Sequence, residues 1–203
     1  MPHQILTSAK SAMLKEYKDH VEERLQQGIP PLPLNAEQVA DLVELLKSPP
    51  AGEEEFILDL IKNRTPAGVD PAAYVKAAFL TALAKGETSS PLIDKKLATE
   101  LLGTMLGGYN VESLIKLLKD EEVGAIAADG LSKTLLMFNA KHEVIELAAE
   151  NENAKRVVES WSNGEWFTSK SKLPEVIKAI VFRVDGEINT DDFSPAQDAP
   201  SRP

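Results

Sequence analysis

The segment at residues 186–196 holds the densest group of side chains that could bind a ligand. Thr190 precedes two adjacent carboxylates, Asp191 and Asp192. Such residues often close turns, because a side-chain oxygen accepts a hydrogen bond from a nearby backbone N–H. A hard cation held by Asp191, Asp192 and Glu187 is the alternative, although such a cation needs about six oxygen ligands. A turn and a cation site are therefore both open interpretations of this segment.

Two acidic clusters and a glycine-rich stretch are further candidates for chemistry. The acids at residues 53–55 and 121–122 lie where helices are expected to begin, and the helix dipole favours acids there. Residues 103–110 are rich in glycine and precede a helix, but they match neither spacing of a phosphate-binding loop. We therefore predict that the acids stabilise helices, and that the glycines form a helix C-cap and a close-packed turn.

The charge balance of the chain limits the classes of partner that it is expected to bind. The chain has 22 Lys and Arg against 32 Asp and Glu, so its net charge is −10. Nucleic acids and anionic membranes attract Lys and Arg, so neither RNA nor a membrane surface is an expected partner. Trp161 and Trp166, near Phe167, are predicted to anchor the core or an interface rather than to stack on bases.

The chain contains no cysteine and only three histidines. On this chain, that excludes disulfides, thiolate nucleophiles and cysteine-held iron–sulfur clusters. No run approaches the roughly 20 apolar residues that span a bilayer. Residues 1–12 lack the apolar stretch of a secretion signal. We expect a soluble, cytoplasmic chain.

Helical periodicity extends through the chain to about residue 165. Asn35 with Gln38 predicts a capping box, and Asp70 before Pro71 predicts a second helix start. Gly86 is the expected left-handed stop of that second helix. The apolar spacing predicts helices at about residues 14–25, 39–46, 56–61, 72–85, 97–102, 111–118, 122–138, 142–149 and 154–162.

Short stretches of internal sequence similarity suggest a structural repeat. Residues 42–47 resemble residues 114–119, and the sequence of residues 50–52 recurs at residues 66–68. Short loops favour antiparallel helix pairs. Pairs that share one apolar seam describe an α-solenoid of the HEAT type, and an irregular helical bundle is the alternative.

The pattern changes near residue 173. Residues 176–184 are rich in β-branched side chains and precede an Asp-Gly turn, which predicts a strand. An isolated strand is not stable, so this one is expected to belong to a sheet that the chain does not complete. The predicted fold is mainly α: a HEAT-like α-solenoid of antiparallel helix pairs, followed by a short β-containing fragment of a second domain.

A resemblance to a known family rests on residues 50–56, 68–70 with 73–77, 101–105 with 107–110, 134–138 and 190–196. Through these stretches nearly the whole chain, from about Met13 to Pro203, resembles the amino-terminal region of the bacterial aconitase B family. Met13 is similar to the family's usual start, so residues 1–12 are expected to form a flexible extension.

The resemblance implies a domain order. It implies a HEAT-like domain at residues 13–167, a linker at 168–174 and a truncated start of a mobile swivel domain at 175–203. In the family, further domains hold a [4Fe-4S] cluster through cysteines. No such cofactor is expected on this chain, so the chain alone is expected to be inactive.

The resemblance also implies an activity and two site residues. The family interconverts citrate and isocitrate through cis-aconitate, and it includes dehydration of 2-methylisocitrate. Arg202 matches the family arginine that contacts a substrate carboxylate, although Pro200 stands where the family has Trp. Asp191 matches an aspartate that faces the active cleft. A guanidinium suits this role because it is permanently charged and binds carboxylates in a bidentate manner.

The implied partners are the remaining domains of the same enzyme, a second subunit and the tricarboxylate substrate. The helical segment would then serve as a protein-interaction and substrate-access domain. The alternative from the residues is a stand-alone helical-repeat interaction module without catalytic activity.

Overall fold

The computed structural model describes residues 2–134, 140–181, 183 and 185–190, with side chains described from residue 12 onwards. Ten α-helices account for most of this part, which confirms the mainly α fold. In chain order they are α1 (Pro2–Gln26), α2 (Ala36–Lys47), α3 (Glu54–Asn63), α4 (Pro71–Ala84), α5 (Lys95–Gly103), α6 (Val111–Leu117), α7 (Gly124–Lys133), α8 (Ala140–Leu147), α9 (Glu152–Asn163) and α10 (Glu165–Thr168).

Helix ends with local signals lie where the sequence predicts them. The Oδ1 of Asn35 accepts from the N–H of Gln38 at 2.9 Å, and the Gln38 side chain accepts from the N–H of Asn35 at 3.0 Å. The carboxylate of Asp70 caps α4, with Pro71 as its first residue. Gly86 follows α4 with a φ of +72°, in the left-handed region. The predicted capping box, proline start and glycine stop are confirmed.

Other helix bounds differ from the prediction. α7 begins at Gly124 rather than at residue 122, because Asp120 accepts from the N–H groups of Glu122 and Val123 and closes a turn there. α10 was not predicted, and it is separated from α9 by Gly164 in the left-handed region. α1 extends continuously through the segment expected to be an extension, residues 1–12, from Pro2 onwards.

The helices pack largely in sequence order around one apolar core. α2, α4, α5, α7 and α9 contact one another in succession. α1 and α3 pack on α2, whereas α6 and α8 pack beside α7 and α9 respectively and also contact each other. Fully buried side chains extend along this row, among them Leu42, Leu80, Leu102, Leu131 and Val157. Within the described residues, no helix is long and apolar enough to cross a bilayer.

The predicted strand at residues 176–184 is not formed in the part of it that the structure describes, residues 176–181 and 183. Ile180 is 98% exposed and Val181 is 91% exposed. A strand needs a neighbouring strand to pair its backbone groups, and the described residues supply none. The β-containing fragment is therefore not observed here.

Candidate functional site

Two helices approach each other closely at a pair of glycines. A Cβ atom placed on Gly103 of α5 would lie 3.0 Å from the Cα of Gly130 on α7. Side chains larger than hydrogen would push the helices apart, since real Cβ atoms seldom come that close to backbone. The end of α5 is therefore fixed against the middle of α7.

A cleft of about 770 Å³ opens beside this glycine contact. Its lining combines the charged side chains of Glu100, Asp129 and Lys133 with the apolar side chains of Leu106 and Ile126. Such a volume is within the range of ligand pockets. Asp129 also forms an ion pair with Arg156 of α9, so one of the two carboxylates already has a structural role.

The glycine-rich stretch at residues 103–110 forms the other wall of this cleft. The Asn110 side chain is buried, and its Nδ2 donates to the carbonyls of Leu102 at 2.7 Å and Met105 at 3.2 Å. The stretch is thus a close-packed turn after α5, as predicted. Asn110 precedes α6, but its side chain holds the turn and does not cap the helix.

An exposed apolar patch lies next to this turn, and sequence reasoning missed it. We define the apolar patch as Val69, Tyr74, Leu106 and Tyr109. Val69 is 82% exposed and Leu106 is 85% exposed. The rings of Tyr74 and Tyr109 meet edge to face, with centroids 5.4 Å apart. Apolar residues inside glycine turns, as at residues 68–69 and 106–108, are the signal that could have indicated it.

The acidic cluster at residues 53–55 lies at the start of a helix as predicted, whereas the one at residues 121–122 lies in the turn before α7 and not in its first turn. Glu54 lies in the first turn of α3, and its Oε2 accepts from the N–H of Gly52 at 2.8 Å. Glu53 forms an ion pair with Lys18 of α1 at 2.6 Å. The Oε2 of Glu122 lies 3.8 Å from the Nζ of Lys95, in the turn before α7.

The two tryptophans differ in their surroundings. The indole N–H of Trp161 donates to the carbonyl of Leu131 at 3.1 Å, and its ring packs against the core. Trp166 and its neighbour Phe167 are exposed, so of the two predicted roles the core role is found for Trp161 and not for Trp166. The role of Trp166 as an interface anchor stays a prediction.

Most of the site residues named from the sequence lie outside the part of the chain that the structure describes. Asp191, Asp192 and Arg202 lie outside the described residues. Glu187 is described, and it is exposed. Among the side chains that the structure describes, no three His, Asp or Glu residues lie together as metal ligands. The possible cation site and the substrate-binding roles therefore stay predictions.

Two family profiles match the chain. The profile described as the aconitate B N-terminal domain matches residues 16–167, and the one described as the aconitate hydratase 2 N-terminus matches residues 179–203. Together these matches place the chain in the class of aconitate hydratase amino-terminal regions.

Curated relatives agree with the profiles. The chain is 62% identical to aconitate hydratase B of Pseudomonas aeruginosa over 94% of this chain and 22% of that protein. It is 60% identical to the Salmonella typhimurium protein of the same name and 59% identical to that of Escherichia coli, with the same coverage of each. The chain belongs to the aconitate hydratase B family. It spans only 22% of the length of these relatives.

Proposed function

We propose that this chain is the amino-terminal part of an enzyme that isomerises citrate to isocitrate through cis-aconitate, with 2-methylisocitrate dehydration as a second activity of the same site. The observation that carries the proposal is the 62% identity to an aconitate hydratase B over 94% of the chain. The stand-alone interaction module is not favoured, because the second profile also matches residues 179–203, beyond the helices.

Within that enzyme, the helices form a HEAT-like solenoid that serves as an interaction and substrate-access domain. The succession of contacts from α2 through α4, α5 and α7 to α9 supports a solenoid, since a repeat protein packs each unit on its neighbour. The proposed domain covers residues 13–167, with a linker at 168–174 and the start of the swivel domain at 175–203. The profile bounds at residues 167 and 179 support this division.

The family implies an iron–sulfur cluster, and the residues of this chain do not fit one. The 203 residues include no cysteine, which is the usual ligand of such clusters. We therefore assign the cluster to the part of the enzyme outside this chain, and we expect the chain alone to be inactive. Interaction with the remaining domains, homodimer formation and a cytoplasmic location are parts of the same proposal.

Arg202 is the residue to which we assign substrate binding, and we assign Asp191 to the active cleft of the full-length enzyme. A guanidinium can hold a carboxylate through two parallel hydrogen bonds, whereas a lysine ammonium acts as a point charge. The charge of Arg202 therefore suits one of the three carboxylates of citrate.

The test uses the full-length protein that contains this chain and follows formation of cis-aconitate from citrate. The unaltered protein should produce cis-aconitate. Arg202→Lys should raise KM for citrate about 10- to 100-fold, since a hydrogen bond to a charged group contributes roughly 1.5–3 kcal/mol. Arg183→Lys is the matched control, because the Arg183 side chain is 88% exposed. A full-length protein that forms no product from citrate would refute the activity, and an unchanged KM for Arg202→Lys would refute the residue's role.

A further inference from the structure

The apolar patch is built on two loops that hold each other in place. The carbonyl of Ala67 accepts from the N–H of Leu106 at 2.7 Å and from the N–H of Gly107 at 3.2 Å. A Cβ atom on Gly107 would lie only 2.3 Å from the carbonyl oxygen of Gly68. Val69 and Leu106 are therefore presented on either side of a fixed backbone contact.

This construction leaves large apolar side chains open to solvent at rigid positions. Tyr74 is anchored on α4, and its ring is fixed against the ring of Tyr109. A rigid patch loses little conformational entropy when a partner covers it. The four side chains come from two chain segments that contact each other, at the Ala67–Leu106 backbone hydrogen bond and at the Tyr74–Tyr109 ring pair. Exposed apolar surface of a few hundred Å² is typical of an interaction site.

The structure assigns the apolar patch as the docking surface for the part of the polypeptide that follows this chain in its relatives. This inference rests on the proposed function, because it takes the chain as one part of the longer enzyme. The relatives are several times longer than the chain, which covers 22% of their length. Most of the length of such an enzyme therefore lies outside this chain and can supply the surface that covers the apolar patch.

The size of the patch favours a covalently linked occupant over a second copy. With roughly 150–250 Å² for each tyrosine and about 100 Å² for each aliphatic side chain, the exposed fractions amount to about 400 Å². A stable interface between separate proteins covers about 800 Å² on each partner. Domains joined in one chain manage with about 600–1,500 Å² in total, or half that on each side, because the linker keeps them at high effective concentration.

The test is hydroxyl-radical footprinting of the full-length protein. It compares the labelling rates of two leucines, so that intrinsic reactivity is the same. Leu25 at the end of α1 is the matched reference, since it is 74% exposed and Leu106 is 85% exposed in this chain. We expect at least about fivefold less labelling of Leu106 than of Leu25, because an interface excludes water. This protection should not change on tenfold dilution, since an intramolecular contact does not depend on concentration.

A pair of variants separates docking from local packing. In the full-length protein, Leu106→Glu should raise the labelling of Tyr74, because a charge in a closed apolar interface is costly. Leu25→Glu should leave the labelling of Tyr74 unchanged.

Two outcomes would overturn the assignment. One is labelling of Leu106 at the rate of an open leucine in the full-length protein. The other is protection that disappears on dilution, which would identify a second copy as the occupant. Formation of cis-aconitate is measured on the same sample. Protection of Leu106 in a protein that lacks this activity would support docking and refute the proposed function.

Discussion

The Nζ of Lys95 lies 2.7 Å from the Oδ2 of Asp120, which joins the first residue of α5 to the turn before α7. The hydrogen bond from Lys95 lowers the pKa of Asp120, and the backbone N–H groups of Glu122 and Val123 lower it further. The same hydrogen bond raises the pKa of Lys95. One carboxylate thus fixes both a turn and the spacing of two helices.

Replacing Asp120 should separate these two contributions. Asp120→Ala should lower the free energy of unfolding by about 1 kcal/mol, because two backbone N–H groups lose their acceptor. Asp120→Asn keeps an oxygen acceptor and removes the charge, so it should destabilise less. Urea unfolding of the three proteins near neutral pH measures the difference.

The stability lost in Asp120→Asn should depend on pH with a defined sign. The pKa of Asp120 is lower in the folded chain, so the unfolded chain binds more protons in acid. The stability that the aspartate adds over the amide is therefore present above the unfolded pKa of about 3.9 and is lost as the pH falls through the lower folded value. A difference between the two proteins that stays constant down to strong acid would contradict this.

Adding a methyl group at either side of the loop contact should have unequal effects. In Gly107→Ala the new Cβ would lie 2.3 Å from the carbonyl oxygen of Gly68, so the loops must separate at a cost of about 1–3 kcal/mol. In Gly68→Ala the new Cβ meets nothing within 4 Å, so the change should be close to neutral. Thermal unfolding of both variants tests the contact, and equal effects would show that it does not constrain the fold.

Because α5 and α7 lie so close together, we expect the usual helical preference for alanine over glycine to be reversed at Gly130. Alanine normally stabilises a helix interior over glycine by about 0.5–1 kcal/mol. Gly130→Ala should instead destabilise the chain, because its Cβ would lie 2.9 Å from the Cα of Gly103. Ser162→Ala on the exposed face of α9 is the control, and it should follow ordinary propensity. Denaturant unfolding is the measurement, and a stabilised Gly130→Ala would disprove the close contact.

Lys76 is a buried lysine on α4, and its burial lowers its pKa from 10.5 to about 8. Near neutral pH the Lys76 ammonium is therefore charged in the folded chain although its burial removes it from water, and this desolvation costs stability. Lys76→Met should therefore raise the free energy of unfolding there, by up to an amount on the order of 3 kcal/mol. Lys96→Met at an exposed position of α5 is the control, with no expected gain.

The increase in the free energy of unfolding caused by Lys76→Met should become smaller as the pH rises above about 8. Between about pH 8 and pH 10.5 the unfolded chain binds more protons at Lys76 than the folded chain does, so the stability of the unaltered protein rises with pH relative to that of the variant. Urea unfolding at several pH values measures this. A gain that does not change with pH would mean that burial of charge is not its source.

Features that depend on neighbouring residues could be predicted from the sequence. Asn35 caps α2 because its partner Gln38 is three residues away, and Asp70 with Pro71 starts α4 for a similarly local reason. The start of α7 was missed because Asp120 binds both the local backbone and a lysine 25 residues earlier. The strand predicted at 176–184 is not formed in its described part, because strand formation requires a partner that a local pattern does not supply.

The site was harder to predict than the fold for the same reason. The cleft exists because Gly103 meets Gly130, and the apolar patch exists because Gly107 meets Gly68, across separations that no local motif encodes. The resemblance led to Asp191 and Arg202, whose placement lies outside the described residues. The absence of cysteine from the composition, in contrast, excludes a cysteine-held iron–sulfur cluster on this chain without any structural information.

The packing of each helix on near neighbours has a consequence for biosynthesis. Contacts that are close in sequence form quickly, since little chain entropy is lost in closing the intervening loop. The row from α2 to α9 can therefore assemble helix by helix as it leaves the ribosome. In the proposed full-length enzyme, the remaining polypeptide would then emerge beside a partner that is already folded.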